Sequence, residues 1–478
     1  MKSKTIFFPF CAVSLFVASI ASAQQRGIIP TARSSQAANQ RDTAQRAQET
    51  DANKGKQLFQ IDRQPGQIDR VIVQLKVGGE VIDMADKKEH REKLSIECDL
   101  DYEEKTLQVT TDDRNIAASL RYYNRAEAAD QIGDHGFKPA LPPEQSLIGV
   151  QVSSQKPVLF SPNACLTRKE LELIDIQVNS LLLDRLLPEK PVAVGDTWQP
   201  SDELMAQLLG LDEVGQSDVK CELTDVTNQV ARFEMKGSVS GAAEGVTAAI
   251  GLRARYRYDL ARKRIDWLGM ALKEQRQVSP VNDGFDVAAQ LQVLVVPDQE
   301  SKRFEESELK NLVLHPTPQS LQLCYASKEG GWQIAYDRNW YVIREQKGQA
   351  AAVLKWLERG DLIAQCNISA LPQEDPDKLV SLEKFQEDIK YALGQNFKEF
   401  VEAGQSIDKA NRRVLRVSVR GEASDLPILW NYYHVAARQG RQASFVFTFE
   451  EKYSPRLGKT DLEMIDSLRF AENNSPNP

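Results

Sequence analysis

At 478 residues the chain is long enough for two or three domains of ordinary size. Hydrophobic residues at 41% and charged residues at 27% give the balance of a chain with packed cores, which excludes a purely disordered polymer. The formal charge of −8 becomes −10 when Lys2 and Lys4 are removed with a leader, which argues against nucleic-acid binding through a basic surplus.

Lys2 and Lys4 precede an apolar run at residues 6–20, and Ala21-Ser22-Ala23 then offers a small-x-small cleavage site. This predicts a signal peptide over residues 1–23 and a periplasmic or secreted mature chain. Cys11 lies inside the apolar run, so a lipid-anchored form is not expected. No later segment reaches the roughly 20 apolar residues of a spanning helix, so no transmembrane segment is expected in the mature chain. Residues 24–63 are rich in Gln, Ala, Arg, Asn, Ser and Thr, and read as a disordered tether.

Five cysteines remain after cleavage: Cys98, Cys165, Cys221, Cys324 and Cys366. The odd count leaves at least one outside any intrachain disulfide, and none has C-x-x-C spacing. Cys324 and Cys366, falling in one expected domain, make a candidate pair, although sequence does not fix connectivity.

Strands begin near Asp69. Val71, Val73, Leu75 and Val77 alternate with polar residues, and Gly78-Gly79 suggests a turn. On the next strand Ile96, Cys98, Leu100 and Tyr102 take one face, and Glu97, Asp99, Asp101 and Glu103 take the other. Residues 119–129 read as a candidate helix. Thr167 with Glu170 forms a capping box ahead of Leu171 and Ile174. A leucine-dense helical stretch from Ser180 then breaks at Pro188 and Pro191, leading to Gly195-Asp196-Thr197-Trp198. Ser201 caps a short helix ended by Gly210, and five alternating strands follow. The leucine stretch is expected to plug the concave face of a curved sheet. Gly237-Ser238-Val239-Ser240-Gly241 lacks the central serine of a nucleophile elbow and reads as a turn or bulge.

A charged and proline-bearing stretch at 299–321 reads as a linker. The second domain, 322–471, has strands at Trp332, Ile334 and Tyr336 and near Trp340, then a Ser381-capped helix stopped by Gly394. More strands follow, and Thr460 with Glu463 suggests a last capping box; residues 472–478 read as a disordered tail. The order from Gly331-Trp332-Gln333-Ile334-Ala335-Tyr336 through Trp340, the Ser381 helix and Asp466-Ser467-Leu468-Arg469-Phe470 resembles the PsbP-like domain. That family takes its name from an extrinsic lumenal subunit of photosystem II. The resemblance implies an α/β/α sandwich with a central antiparallel sheet, and transfers no ligand residue. Glu189-Lys190-Pro191-Val192-Ala193-Val194-Gly195-Asp196-Thr197-Trp198 is similar to a segment of uncharacterised secreted bacterial proteins.

Candidate sites are few. Glu97, Asp99, Asp101 and Glu103 are candidate metal ligands, but same-face residues on a strand stand about 6.5–7 Å apart, and Ca²⁺ needs oxygens at about 2.3–2.6 Å. Arg253, Arg255 and Arg257 could grip an anion, or pair with the acidic stripe if the strands were neighbours. Trp332 and Trp340 could line a groove, although aromatics at strand spacing more often form core. His434 and Cys366 are a weak candidate catalytic pair, so no catalytic residue and no cofactor is assigned.

The expected fold class is therefore α+β. A curved antiparallel sheet domain with packed helices (64–298) precedes the PsbP-like domain. The expected function is a non-enzymatic binding protein of the bacterial envelope, taking an envelope protein or an amphipathic or anionic ligand. The alternatives are an enzyme acting on an envelope polymer and a structural envelope component.

Overall fold

The computed structural model describes residues 55–471, apart from 86–87, 112–114, 154–155, 244, 279–282, 347–350 and 359–360. The expected signal peptide, most of the expected tether and the expected tail lie outside the described residues. Among the described residues two compact units result: a large unit of 55–158 with 175–312, and a C-terminal unit that joins 159–174 to 313–471.

The large unit is built on one long antiparallel sheet. Its principal strands are β1 (Ile68–Ala85), β2 (Lys88–Val109), β3 (Ile116–Ile132), β4 (Leu147–Gln151), β5 (Lys220–Thr227), β6 (Val230–Ala243), β7 (Val246–Asp259), β8 (Arg264–Arg276) and β9 (Gly284–Val296). Their order is β4-β3-β2-β1-β9-β8-β7-β6-β5. Two meanders thus meet where β1 pairs with β9 from Arg70↔Val296 to Ile82↔Gly284. The period-two alternation explains the layering, because one row of side chains runs unbroken across seven strands. Phe233, Tyr256, Leu268, Val293, Val73, Leu100 and Ala126 stand side by side in register, and all are buried.

The expected α+β class is corrected: the described residues are 55% strand and 17% helix, β-rich rather than a sheet with packed helices. Two segments show why. The leucine-dense stretch is a 3₁₀ turn, Ser180–Leu186, capped by Asn179 and followed by Pro188. Val178 at φ 58° separates it from the helix Arg168–Ile174, so neither piece reaches the dozen residues at which helices become self-supporting. Residues 119–129, read as a candidate helix, belong to β3; its pairing with both β2 and β4 overrides the helix preference of its alanines. Gly237 to Gly241 lies in β6, where the register slips between Ser240 and Gly241, a bulge.

In the C-terminal unit a seven-stranded antiparallel sheet runs from Trp340–Gln346 at one edge to Phe397–Ile407 at the other. The Ser381 side chain caps the helix Leu382–Leu393 through the Lys384 N–H, as the sequence leads one to expect. The Thr460 capping box does not form, because Thr460 already lies inside the helix Thr460–Ser467 and Lys459 takes the cap position. Leu166–Thr167 pairs in parallel with Leu323–Ser327, setting Thr167 opposite Cys324. That pairing brings Cys165 to a Cα distance of 5.7 Å from Cys324, within disulfide range. The bridge is therefore Cys165–Cys324, not Cys324–Cys366, and Cys98, Cys221 and Cys366 are buried thiols.

Candidate functional site

The acidic and basic stripes lie on the outer face of the large sheet, but apart from each other. Arg255, Gly269, Gln292, Gln74 and Asp99 follow in register, so three strands separate the two stripes. Each stripe finds closer partners. Lys76 bonds Glu97 at 3.0 Å, Gln74 bonds Asp99 at 3.2 Å, and Arg70 grips Asp101 at 2.9 and 2.6 Å. Glu103 lies near Arg70. Arg255 bonds Glu234 at 2.8 Å, Arg257 grips Asp266 at 2.7 and 3.0 Å, and Arg253 stands exposed opposite Lys236. Among the described residues no three His, Cys, Asp or Glu side chains are grouped to hold a metal ion.

Trp332 and Trp340 lie inside the C-terminal unit rather than along a groove. Trp332 packs on Tyr325, and Trp340 packs on Trp356 and Phe447 with ring centroids 5.8 Å apart in each case. His434 and Cys366 do not meet across the strands. His434 aligns with Ser444 and Ser369, whereas Cys366 aligns with Phe447 and Asn431. The His434 Nε2 is bonded to Gln442 at 2.7 Å, and burial pushes its pKa down. Burial also pushes the Cys221 thiol up to about 11 and the Cys366 thiol well above its ordinary value, which keeps both protonated and poorly nucleophilic.

What the stripes do not build, the inner end of the large sheet does. Residues 57–67 pass over this end as a strap. Gln57 and Val192 exchange backbone bonds at 2.8 and 3.0 Å, and the Asp62 N–H donates to the Lys263 carbonyl at 3.3 Å. Phe59 packs edge-on against Phe233 and Tyr258. Beneath the strap lies a buried ion network. The Arg63 Nε donates to Asp184 Oδ2 at 2.8 Å and its Nη1 to Asp69 Oδ2 at 2.6 Å, while Arg264 Nη1 reaches Asp69 Oδ1 at 2.8 Å. Asp184 Oδ1 also accepts the Ile265 N–H at 2.7 Å. Burial works against the Arg63 charge, but Asp184 and Asp69 outweigh it and raise the pKa of the guanidinium further.

A second buried network holds the start of the 3₁₀ turn. The Ser180 hydroxyl donates to Glu104 Oε2 at 2.8 Å, and Arg121 donates to Glu104 Oε1 at 2.7 Å, Asn179 Oδ1 at 2.6 Å and Ser180 Oγ at 2.9 Å. The far end of the turn is fixed by its Leu186 carbonyl, which accepts from Trp198 Nε1 and Tyr256 OH, each at 3.2 Å. Gly195 at φ 92° makes the bend that precedes Trp198, and Asp196 Oδ2 accepts the Ala193 N–H at 2.9 Å. The Gly-Asp-Thr-Trp segment is thus a joint between turn and sheet.

Between strap, turn and the helix Asp202–Leu209 opens a cleft of about 710 Å³. Leu58, Phe59 and Ile61 supply part of its apolar wall, and Arg185, Lys263 and Glu203 part of its charged rim. Arg185 is half-buried, and its Nε is buried with no hydrogen-bond partner among the described residues. Sequence reasoning missed this site, because its parts come from five stretches of chain; the one local signal was a charged Asp184-Arg185 pair inside a run of leucines.

No family model matches the chain, and no curated protein matches it. Among solved structures it is similar to cyanobacterial PsbP (CyanoP) from Synechocystis sp. PCC 6803 at 13% identity, over 31% of this chain and 92% of that one, with a TM-score of 0.26. It is also similar to a mutant of the protein Mog1 at 10% identity, over 32% of this chain and 97% of that one, with a TM-score of 0.26. A Pseudomonas aeruginosa protein of unknown function matches at 9% identity, over 33% of this chain and 98% of that one, with a TM-score of 0.20. The expected likeness to PsbP is therefore found over about a third of the chain. At such scores none of these likenesses carries an argument about activity.

Proposed function

We propose that the protein is a non-enzymatic binding protein of the bacterial envelope, and that the cleft over the 3₁₀ turn takes an amphipathic ligand with an anionic group. The observation that carries this reading is the half-buried Arg185 in the lining of a cleft of about 710 Å³ that Leu58 and Ile61 also line, its Nε without a partner among the described residues. That volume falls in the range of small-molecule sites, about 300–1,000 Å³, and its lining is more polar than apolar. The disulfide Cys165–Cys324 supports an oxidising compartment and hence export.

The test is native mass spectrometry of the full chain purified from its source envelope. A stoichiometric bound mass that is displaced by an anionic amphiphile supports the reading. A chain that carries nothing and gains no adduct from any anionic amphiphile overturns it.

A further inference from the structure

One row on the outer face of the large sheet breaks the polar pattern that a solvated sheet face keeps. Trp267 on β8, Leu294 on β9 and Ile72 on β1 stand in register there and are half-buried, with Arg257 beyond Trp267 and Asp101 beyond Ile72. The indole leans along β8 over Gly269, where an added Cβ would come within 2.9 Å of its ring carbons. The ring thus covers the glycine instead of standing clear of the sheet. A contiguous apolar patch rimmed by charge marks a surface that something covers.

What covers it is written in the order of the rows, which are complementary to themselves about β9. Arg257, Trp267, Leu294, Ile72 and Asp101 form the first row, and Arg255, Gly269, Gln292, Gln74 and Asp99 the second. The third runs from Arg253 through Gln290 to Glu97. A second sheet turned by a two-fold axis along β9 sets each arginine of β7 over an acid of β2, Trp267 over Ile72, and Leu294 over its own copy. The result is an apolar centre between charged rims, the anatomy of a protein interface. Neither rim is neutralised within the chain. The three arginines of β7 meet two acids, Glu234 and Asp266, and the four acids of β2 meet three cations, Arg70, Lys76 and Arg125. A strip of five strands about 4.8 Å apart and about nine residues long presents about 700 Å² to a partner. That approaches the roughly 800 Å² per partner of a standard interface. Charges on β3 and β6 fall beyond this strip, where the twist of two stacked sheets carries their corners apart.

We propose that the outer face of the large sheet binds a second copy of this chain, forming a symmetric dimer with its two-fold axis along β9. Trp267, Ile72 and Leu294 fill the centre of the contact, and Arg253, Arg255 and Arg257 of each copy face Glu97, Asp99 and Asp101 of the other. The contact does not use the cleft and stands or falls independently of it.

The test is analytical ultracentrifugation of the full chain over a dilution series. The wild-type chain should form a dimer that dissociates on dilution. Arg253→Glu, Glu97→Lys and Trp267→Ala, each checked for folding by circular dichroism, should each weaken it about tenfold, because a two-fold contact contains every substitution twice. Mixed in equal amounts, the Arg253→Glu and Glu97→Lys chains should dimerise as tightly as wild type, since each reversal then faces the other. A substitution that acts only by disturbing its own chain is not rescued by mixing. A wild-type chain that stays monomeric throughout, leaving the face to water or to a different partner, overturns the proposal. So does a dimer that all three substitutions leave unchanged, or a mixture no tighter than its separate components.

Discussion

Arg63 and Asp184 lie 121 residues apart in sequence and are joined by a 2.8 Å bond from Nε to Oδ2. Through that bond the strap is tied to the 3₁₀ turn, and Asp69 and Arg264 extend the tie to β1 and β8. Asp184 also lines the cleft. Removing one partner leaves a buried charge uncompensated, so Arg63→Ala and Asp184→Ala should each cost about 3–5 kcal/mol in urea unfolding. The double variant should cost much less than the sum. Additive losses would mean that the pair does not act as a unit.

The joint at Trp198 predicts a smaller loss. Its ring packs edge-on against Phe233, and its Nε1 holds the Leu186 carbonyl, but the residue is only half-buried. Trp198→Ala should cost about 2–3 kcal/mol, below the about 3–5 kcal/mol of a fully buried tryptophan. An unchanged melting temperature would remove the joint from the account.

Asp130 gives a pH dependence. Burial on the inner end of β3 pushes its carboxyl up to about 7. The unfolded chain releases that proton near the ordinary value of about 3.9. Between those values the folded state binds the extra proton, so stability falls as pH rises from about 4 to about 7. After allowance for solvent screening the change should be on the order of 1–2 kcal/mol. Asp130→Asn should flatten this part of the profile; a slope that survives the substitution assigns it elsewhere.

The disulfide closes a sequence separation of 159 residues. Loops of that size are constrained most in the unfolded state, so paired Cys165→Ser and Cys324→Ser changes should cost about 3–5 kcal/mol. Denaturation with and without reductant reads this directly, and the serine variant should show no further response to reductant.

Much of this architecture is legible in short-range pattern. The alternation at Ile96 to Glu103 sorts inner from outer residues, and the caps at Thr167, Ser201 and Ser381 mark real helix starts. The buried ion networks are not legible in that way, because Arg63, Asp69, Asp184 and Arg264 meet only when the strap crosses the sheet. A faint signal existed: Asp184 and Arg121 interrupt apolar runs, and a charge placed there has either a buried partner or a function. The helix reading of the leucine stretch failed for a related reason. Its turn is held by bonds to Glu104, Trp198 and Tyr256, none of which belongs to its own neighbourhood.

Native mass spectrometry on the Arg185→Glu, Lys263→Glu double variant, beside the wild-type chain, tests the binding account most directly. The account predicts a stoichiometric adduct on the wild-type chain that is lost from the variant while its melting temperature holds. An adduct retained by the variant at wild-type occupancy would contradict it.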